Sequence, residues 1–211
     1  MISTLVIATH NAKKAGEMVT ILSARFPKLR ILTLADFPGA PEPEESGATY
    51  AENAVIKAQS GAEFTGHWCL ADDAGLEIDA LPGELGPLSK RFEGENTTFE
   101  QKMAVILDRM KDVPLQNRGA RFQCFVALAP AMNARQSSDA LETPDKVITF
   151  SATCEGRIAF EPSGKGGFGY DPIFFLPALG CCMADLTPEQ KHAISHRGKV
   201  LKAFGDWLEK S

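Results

Sequence analysis

The sequence lacks any long apolar run. Its longest uncharged stretches, Phe122–Ala134 and Pro172–Ala184, are 13 residues each and contain prolines. A membrane span needs roughly 18–20 apolar residues, so no membrane partner is expected. There is no Cys-x-x-Cys pair either. The five cysteines (Cys69, Cys124, Cys154, Cys181, Cys182) form an odd set, and the adjacent Cys181 and Cys182 do not have metal-ligand spacing. Reduced, mostly buried thiols of a cytoplasmic protein are the expectation. The short apolar run Leu5–Ala8 has no basic region before it and no cleavage pattern, so no export signal is expected. Positive charge is scarce as well: 22 Lys+Arg stand against 27 Asp+Glu, a net charge of −5. That argues against a nucleic-acid partner, which requires a positive footprint along the phosphates.

What is there is unevenly placed. Between Asp36 and Glu100 stand 14 acids and only 3 bases, while the rest of the chain holds 13 acids and 19 bases. The acidic stretch is laced with apolar residues and the chain is 44% hydrophobic, which excludes a disordered acidic tail. Apolar periodicity predicts a strand at Thr4–Ala8, a helix marked by Met18, Ile21, Leu22 and Phe26 and stopped at Pro27, and a strand at Leu29–Leu34. Thr49 and Glu52 have capping-box spacing ahead of an Ala-rich helix reaching Phe64. Trp68–Ala71 reads as a short strand running into Asp72-Asp73-Ala74-Gly75, with Leu76–Asp79 continuing as strand or turn. A helix follows on Phe99, Met103, Ile106, Leu107 and Met110, then strands at Arg121–Ala129 and Val147–Phe160 around a polar loop, Pro130–Lys146. A last helix is predicted over Pro188–Leu208. With no internal repeat or linker, the expectation is a single α/β domain over residues 1–211, with a mixed sheet and a cleft between two lobes.

Four constellations can carry chemistry. The strand-to-helix turn Thr9-His10-Asn11-Ala12-Lys13-Lys14 joins a helix amino terminus, which suits a phosphate, to side-chain donors and two lysines. Ordinary capping by Thr9 or Asn11 is the alternative. Glu42, Glu44, Glu45, Asp72 and Asp73 offer oxygen ligands for a hard cation such as Mg²⁺, which takes one or two carboxylates plus substrate phosphates. An Asp pair at a strand's carboxyl end also lies where open α/β sheets bind ligands; a surface turn is the alternative. Gly164–Pro172 holds four glycines that permit close backbone approach, and Phe168 and Tyr170 can stack on a base or simply pack. Ser195-His196-Arg197-Gly198 follows Lys191 by four residues, so a continuous helix would put Lys191 and Ser195 on one face. Adjacent helical residues point apart, which disfavours a Ser195–His196 acyl-transfer dyad; an exposed basic helix is the plainer alternative.

Together these segments resemble the inosine/xanthosine triphosphate pyrophosphatase family. The matching stretches are Val6–Asn11 with Lys14, Glu45–Ala54 with Lys57-Ala58, Ala71–Leu76 with Asp79-Ala80-Leu81, Ser89 and Arg91, Arg121-Phe122, Gly166–Phe174, and Lys191 with Ile194–Gly198. The resemblance implies an elongated mixed α/β fold with a central cleft, a homodimer, and Mg²⁺-dependent hydrolysis of deaminated purine nucleotides (ITP, dITP, XTP) to monophosphate and pyrophosphate. It further implies Asp73 as general base and metal ligand, with Glu45 helping to hold the metal. Thr9, His10, Asn11, Ala12, Lys13 and Lys14 would hold phosphates with Lys57 close by. Ala74 would touch substrate through its backbone. Phe168, Gly169, Tyr170, Asp171, Lys191, His196 and Arg197 would form the nucleobase side. Departures from the family pattern are His10 and Lys13 where glycines are usual, Ala74 in place of Ser, and Leu88 and Lys90 beside Ser89 and Arg91.

Overall fold

A computed structural model describes residues 2–89, 92–94, 96–131 and 146–211. Arg91, Lys90 and most of the expected Pro130–Lys146 loop lie outside the described residues. The chain opens with strand β1 (Thr4–Ile7), helix α1 (Ala12–Arg25) and strand β2 (Arg30–Thr33). Helix α2 (Tyr50–Thr65) leads into β3 (Trp68–Ile78), and α3 (Phe99–Arg109) into β4 (Gly119–Ala129) and β5 (Ile148–Ile158). The chain ends with β6 (Phe174–Leu176), β7 (Cys181–Cys182), α4 (Pro188–Ile194) and α5 (His196–Leu208). The seven strands form one sheet in the order β2-β1-β3-β4-β5-β6-β7. Parallel pairing of β1 with β2 and β3, and antiparallel pairing of β5–β6–β7, make it the mixed sheet of an α/β fold. Among the described residues no helix is long and apolar enough to cross a membrane.

The chain divides into two compact units, one of Met1–Asp73, Cys124–Ala152 and Val200–Ser211, the other of Ala74–Gln123 and Thr153–Lys199. The core of the first is made of small side chains. Ala54, Ala58 and Ala62 recur at four-residue spacing along α2 and meet Val6, Ala8, Cys69 and Ala71. The second core is bulkier, with Leu76, Ile106, Phe122, Ile158 and Phe174. Its least expected member is Arg118, only 1% exposed, whose guanidinium donates to the carbonyls of Met110, Val113, Ile158 and Ala159. It thereby satisfies backbone acceptors just beyond α3 and at the end of β5. All five thiols are free, with Cys181 half-buried and the rest buried.

The observed elements differ from the sequence reading in three places. Trp68–Ile78 is one unbroken strand, so Asp72 and Asp73 lie in its interior. The neighbouring β1 nevertheless ends at Ile7, level with Leu70, so the Asp pair still sits at the carboxyl end of the parallel portion. The expected terminal helix is two helices. Ser195 has extended angles (φ −67°, ψ 159°), and its hydroxyl accepts from Gly198 N at 3.1 Å, capping α5 rather than continuing α4. Gly198 is required there because a Cβ would collide with the His192 carbonyl. The short strands β6 and β7, inside the uncharged run Pro172–Ala184, were not anticipated.

Candidate active site

In the first unit, five charged side chains from four segments converge. Asn11 caps α1: its side chain accepts from Lys13 N and Lys14 N, both at 3.1 Å, while Thr9 Oγ1 accepts from Asn11 N at 3.2 Å. Asn11 thus caps the helix, and Thr9 holds the N–H of the cap residue itself. The first turn carries Lys13 and Lys14 and no acid, so positive charge reinforces the helix dipole. Ala12 and Lys13 are exposed. His10 is exposed too, and its Nε2 lies 3.1 Å from the Pro41 carbonyl, tying the turn to the loop that carries Glu45.

Successive side chains on a strand point to opposite faces, and the two aspartates accordingly take partners from different helices. Asp72 Oδ2 lies 3.3 Å from Lys14 Nζ of α1. Asp73 Oδ1 lies 2.9 Å from Lys57 Nζ of α2, and Glu45 Oε1 is 3.0 Å from the same ammonium. Asn53, one helical turn before Lys57, accepts from Gly47 N at 2.9 Å and donates to Asp73 Oδ2 at 3.5 Å. It therefore links the Glu45 loop to the strand. The Thr49–Glu52 capping box, formed as the sequence predicts, fixes the start of this helix.

Burial pushes the Asp73 carboxyl above its ordinary value, an effect that Lys57 and Lys14 only partly oppose. Burial also acts to lower Lys57, but the attraction of Asp73, Asp72 and Glu45 outweighs it and keeps the ammonium above its ordinary value. Asp73 is thus a stronger base than a solvated carboxylate, facing a lysine that stays protonated. Two carboxylate oxygens already share one cation, and that donor set suits Mg²⁺ together with oxygens from a ligand. Among the described residues no group of three or more His, Cys, Asp or Glu side chains forms a metal cage.

The second unit gathers a different set. Asp171 Oδ2 accepts from Phe168 N at 2.8 Å and from Lys191 Nζ at 2.7 Å. Gly167, at φ +67°, permits this closure, since a Cβ there would collide with the Asp171 carboxylate. The Lys191 ammonium stands 4.5 Å from the centre of the half-buried Phe168 ring, and the Arg197 guanidinium 5.6 Å from it. Gly169, also left-handed at φ +69°, separates Phe168 from Tyr170. Tyr170 is buried, donates its hydroxyl to the Ser89 carbonyl at 2.7 Å and meets Phe99 edge-on. Burial raises its phenol. His196 is buried and stacks on Phe122 at 4.7 Å. Ala74 is half-buried in β3, directly after Asp73.

The structure therefore joins Lys14 with Asp72, joins Glu45 with Lys57 and Asp73, and joins Phe168 with Asp171, Lys191 and Arg197. It leaves His10, Ala12 and Lys13 exposed and gives Tyr170 and His196 partners within their own unit. Sequence reasoning placed Asn53 and Phe122 within matching stretches but gave neither a role. The spacing of Asn53 and Lys57, four apart on a helix, was the available signal for the first; nothing local marks Phe122 as the support of His196.

Comparison with known proteins agrees along the whole length. The chain is 42% identical to a dITP/XTP pyrophosphatase of Geobacillus kaustophilus over 205 residues, covering 97% of this chain and 94% of that one. In structure it is similar to a HAM1 protein from Coxiella burnetii (TM-score 0.83, 36% identity, all of both chains). It is also similar to the Staphylococcus aureus Ham1 protein (TM-score 0.81, 33% identity, 98% of each chain). The model of the Ham1 family matches residues 5–207, and the chain belongs to that family.

Proposed function

We propose that this protein is a Mg²⁺-dependent nucleoside-triphosphate pyrophosphatase that hydrolyses deaminated purine nucleotides (ITP, dITP, XTP) to the monophosphate and pyrophosphate. The observation that carries the reading is the pairing of a buried, raised Asp73 with Lys57 and Glu45 beside a lysine-bearing helix start, in a chain so similar to dITP/XTP pyrophosphatases. Glu45 and Asp73 would hold Mg²⁺, which when bound supplies positive charge to the phosphate chain. Asp73 accepts the proton of the water that attacks the α-phosphorus, and Lys57 keeps the carboxylate in place. Lys14 and the first turn of α1 stabilise the departing pyrophosphate.

On the base side, Phe168 offers a stacking face, while Lys191, His196 and Arg197 supply donors for a 6-keto oxygen. An adenine amino group would set donor against donor and leave buried groups unpaired, at about 1–3 kcal/mol per group. Work as a homodimer in the cytoplasm belongs to the same proposal and rests on the family alone. The test is pyrophosphate release from ITP with Mg²⁺ between about pH 7 and 10, with Asp73→Asn expected to lower kcat by about 10²–10⁴-fold. No release by the unmodified protein sinks the activity; equal release by the variant sinks the role of Asp73.

A further inference from the structure

Asp72 is not needed as a base or metal ligand in this scheme, yet its side chain is 0% exposed and its charge is matched by a lysine 3.3 Å away. A buried carboxylate is tolerated only with such compensation. Lys14 is thereby held at both ends. Its backbone N–H is bound by the Asn11 cap, and its ammonium by Asp72 across the pleat of β3. An ammonium carries three donors that can serve a ligand's oxygens. The Lys14 side chain remains 18% exposed. A free lysine must give up considerable rotamer freedom when it grips a ligand; here much of that ordering already exists in the folded chain.

The geometry points to Asp72 as the positioning residue of Lys14. Its role is to present the Lys14 ammonium at the β1–α1 turn to a polyphosphate. Its negative charge is offset by the cation it holds, so its contribution to the ligand is the placement of a donor. The consecutive aspartates of β3 then divide the work: Asp73 acts at the reacting centre with Lys57, and Asp72, whose charge also supports the Lys57 ammonium, serves the polyphosphate through Lys14. This deepens the pyrophosphatase reading and rests on it.

If Asp72 serves the polyphosphate through Lys14, its removal must matter mainly while Lys14 is present. Four proteins test this: the unmodified chain, Asp72→Asn, Lys14→Met and the double variant. Each is measured for inorganic tripolyphosphate affinity by calorimetry and for kcat and KM with ITP. Asp72→Asn should weaken tripolyphosphate binding about tenfold and lower kcat with ITP as well as raise KM, because the donor it places also serves the leaving pyrophosphate, and most of both effects should vanish in the Lys14→Met background. Additive losses, or tighter binding by Asp72→Asn, overturn the assignment. Turnover by the unmodified protein with additive losses leaves the pyrophosphatase reading standing without the positioning role. Tripolyphosphate coupling without turnover does the reverse, and absence of both binding and turnover overturns both. Should Asp72→Asn fail to fold, competitive acetylation of the unmodified protein takes its place. Lys14 labelling more slowly than its exposed neighbour Lys13 supports its engagement, and equal rates overturn it.

Discussion

Each unit contains a lysine bound to a buried aspartate, Lys57 with Asp73 in one and Lys191 with Asp171 in the other, and the surroundings of the two pairs are opposite. Around Lys57 a second carboxylate, Glu45, joins the aspartate, so acids outnumber the cation they share. Around Lys191 a second cation, Arg197, joins the lysine over the ring of Phe168. An acid-rich pair is prepared to accept a further cation, whereas a cation-rich pair beside a π face is prepared to donate to a planar, neutral acceptor. The same ion pair therefore carries different chemistry according to its third and fourth neighbours.

The sharpest way to break that contrast is to remove each lysine. Lys57→Met and Lys191→Met should each lower folding stability by about 3 kcal/mol, because a buried carboxylate loses its partner. They should part company when Mg²⁺ is added. Millimolar Mg²⁺ should return about 1–3 kcal/mol to Lys57→Met, where Asp73 and Glu45 are left facing one another, and nothing to Lys191→Met. Urea denaturation with and without the metal reads both. Equal rescue of the two variants, or of neither, ends the distinction.

Much of the first cluster was legible in the sequence, and the reason is local. The Thr49–Glu52 box announces where α2 begins and the acids of the loop and of Asp72-Asp73 announce a cation site, whereas Lys57 entered through the family resemblance and the spacing that puts Asn53 on its face went unread. Opaque were the features decided by distant partners. Asp72-Asp73-Ala74-Gly75 has the composition of a turn, yet it stays extended because Lys14 and Lys57 neutralise the two acids within the sheet. Ser195 sits inside an apolar pattern that reads as one helix, and only its cap on Gly198 reveals the break. The second cluster is less legible for the same cause: its glycines announce freedom without saying that Gly167 serves to admit the Asp171 carboxylate.

A milder test concerns the ring that the second cluster surrounds. Phe168→Ala removes the stacking face but leaves the Lys191–Asp171 pair. KM for ITP should rise about tenfold with kcat within about twofold of the unmodified protein, the signature of lost uniform binding. Steady-state pyrophosphate release reads it. A fall in kcat with unchanged KM would mean that Phe168 belongs functionally with the reacting centre, and would erase the division of labour between the two sets.

The smallest expected effect probes the cores beneath the two clusters. Cys69 lies in the alanine-lined core under α2, where burial pushes its thiol from 9.0 up to about 11, with the Thr65 hydroxyl opposing. In the second unit Cys182 also rises to about 11, by burial first and then by the charges of Asp185 and Cys181. Because the folded thiol ionises above the unfolded one, its stabilising contribution is complete below about pH 9 and disappears as pH climbs through about 11. At pH 10 the loss from Cys69 amounts to about 1 kcal/mol. Cys69→Ala lowers stability by its cavity at every pH but cannot ionise. Between pH 8 and 10 the unmodified protein should therefore lose about 1 kcal/mol more than the variant in urea denaturation. Identical pH dependence would mean that the thiolate is accommodated, and that the small-residue core of the first unit is less apolar than its alanines imply.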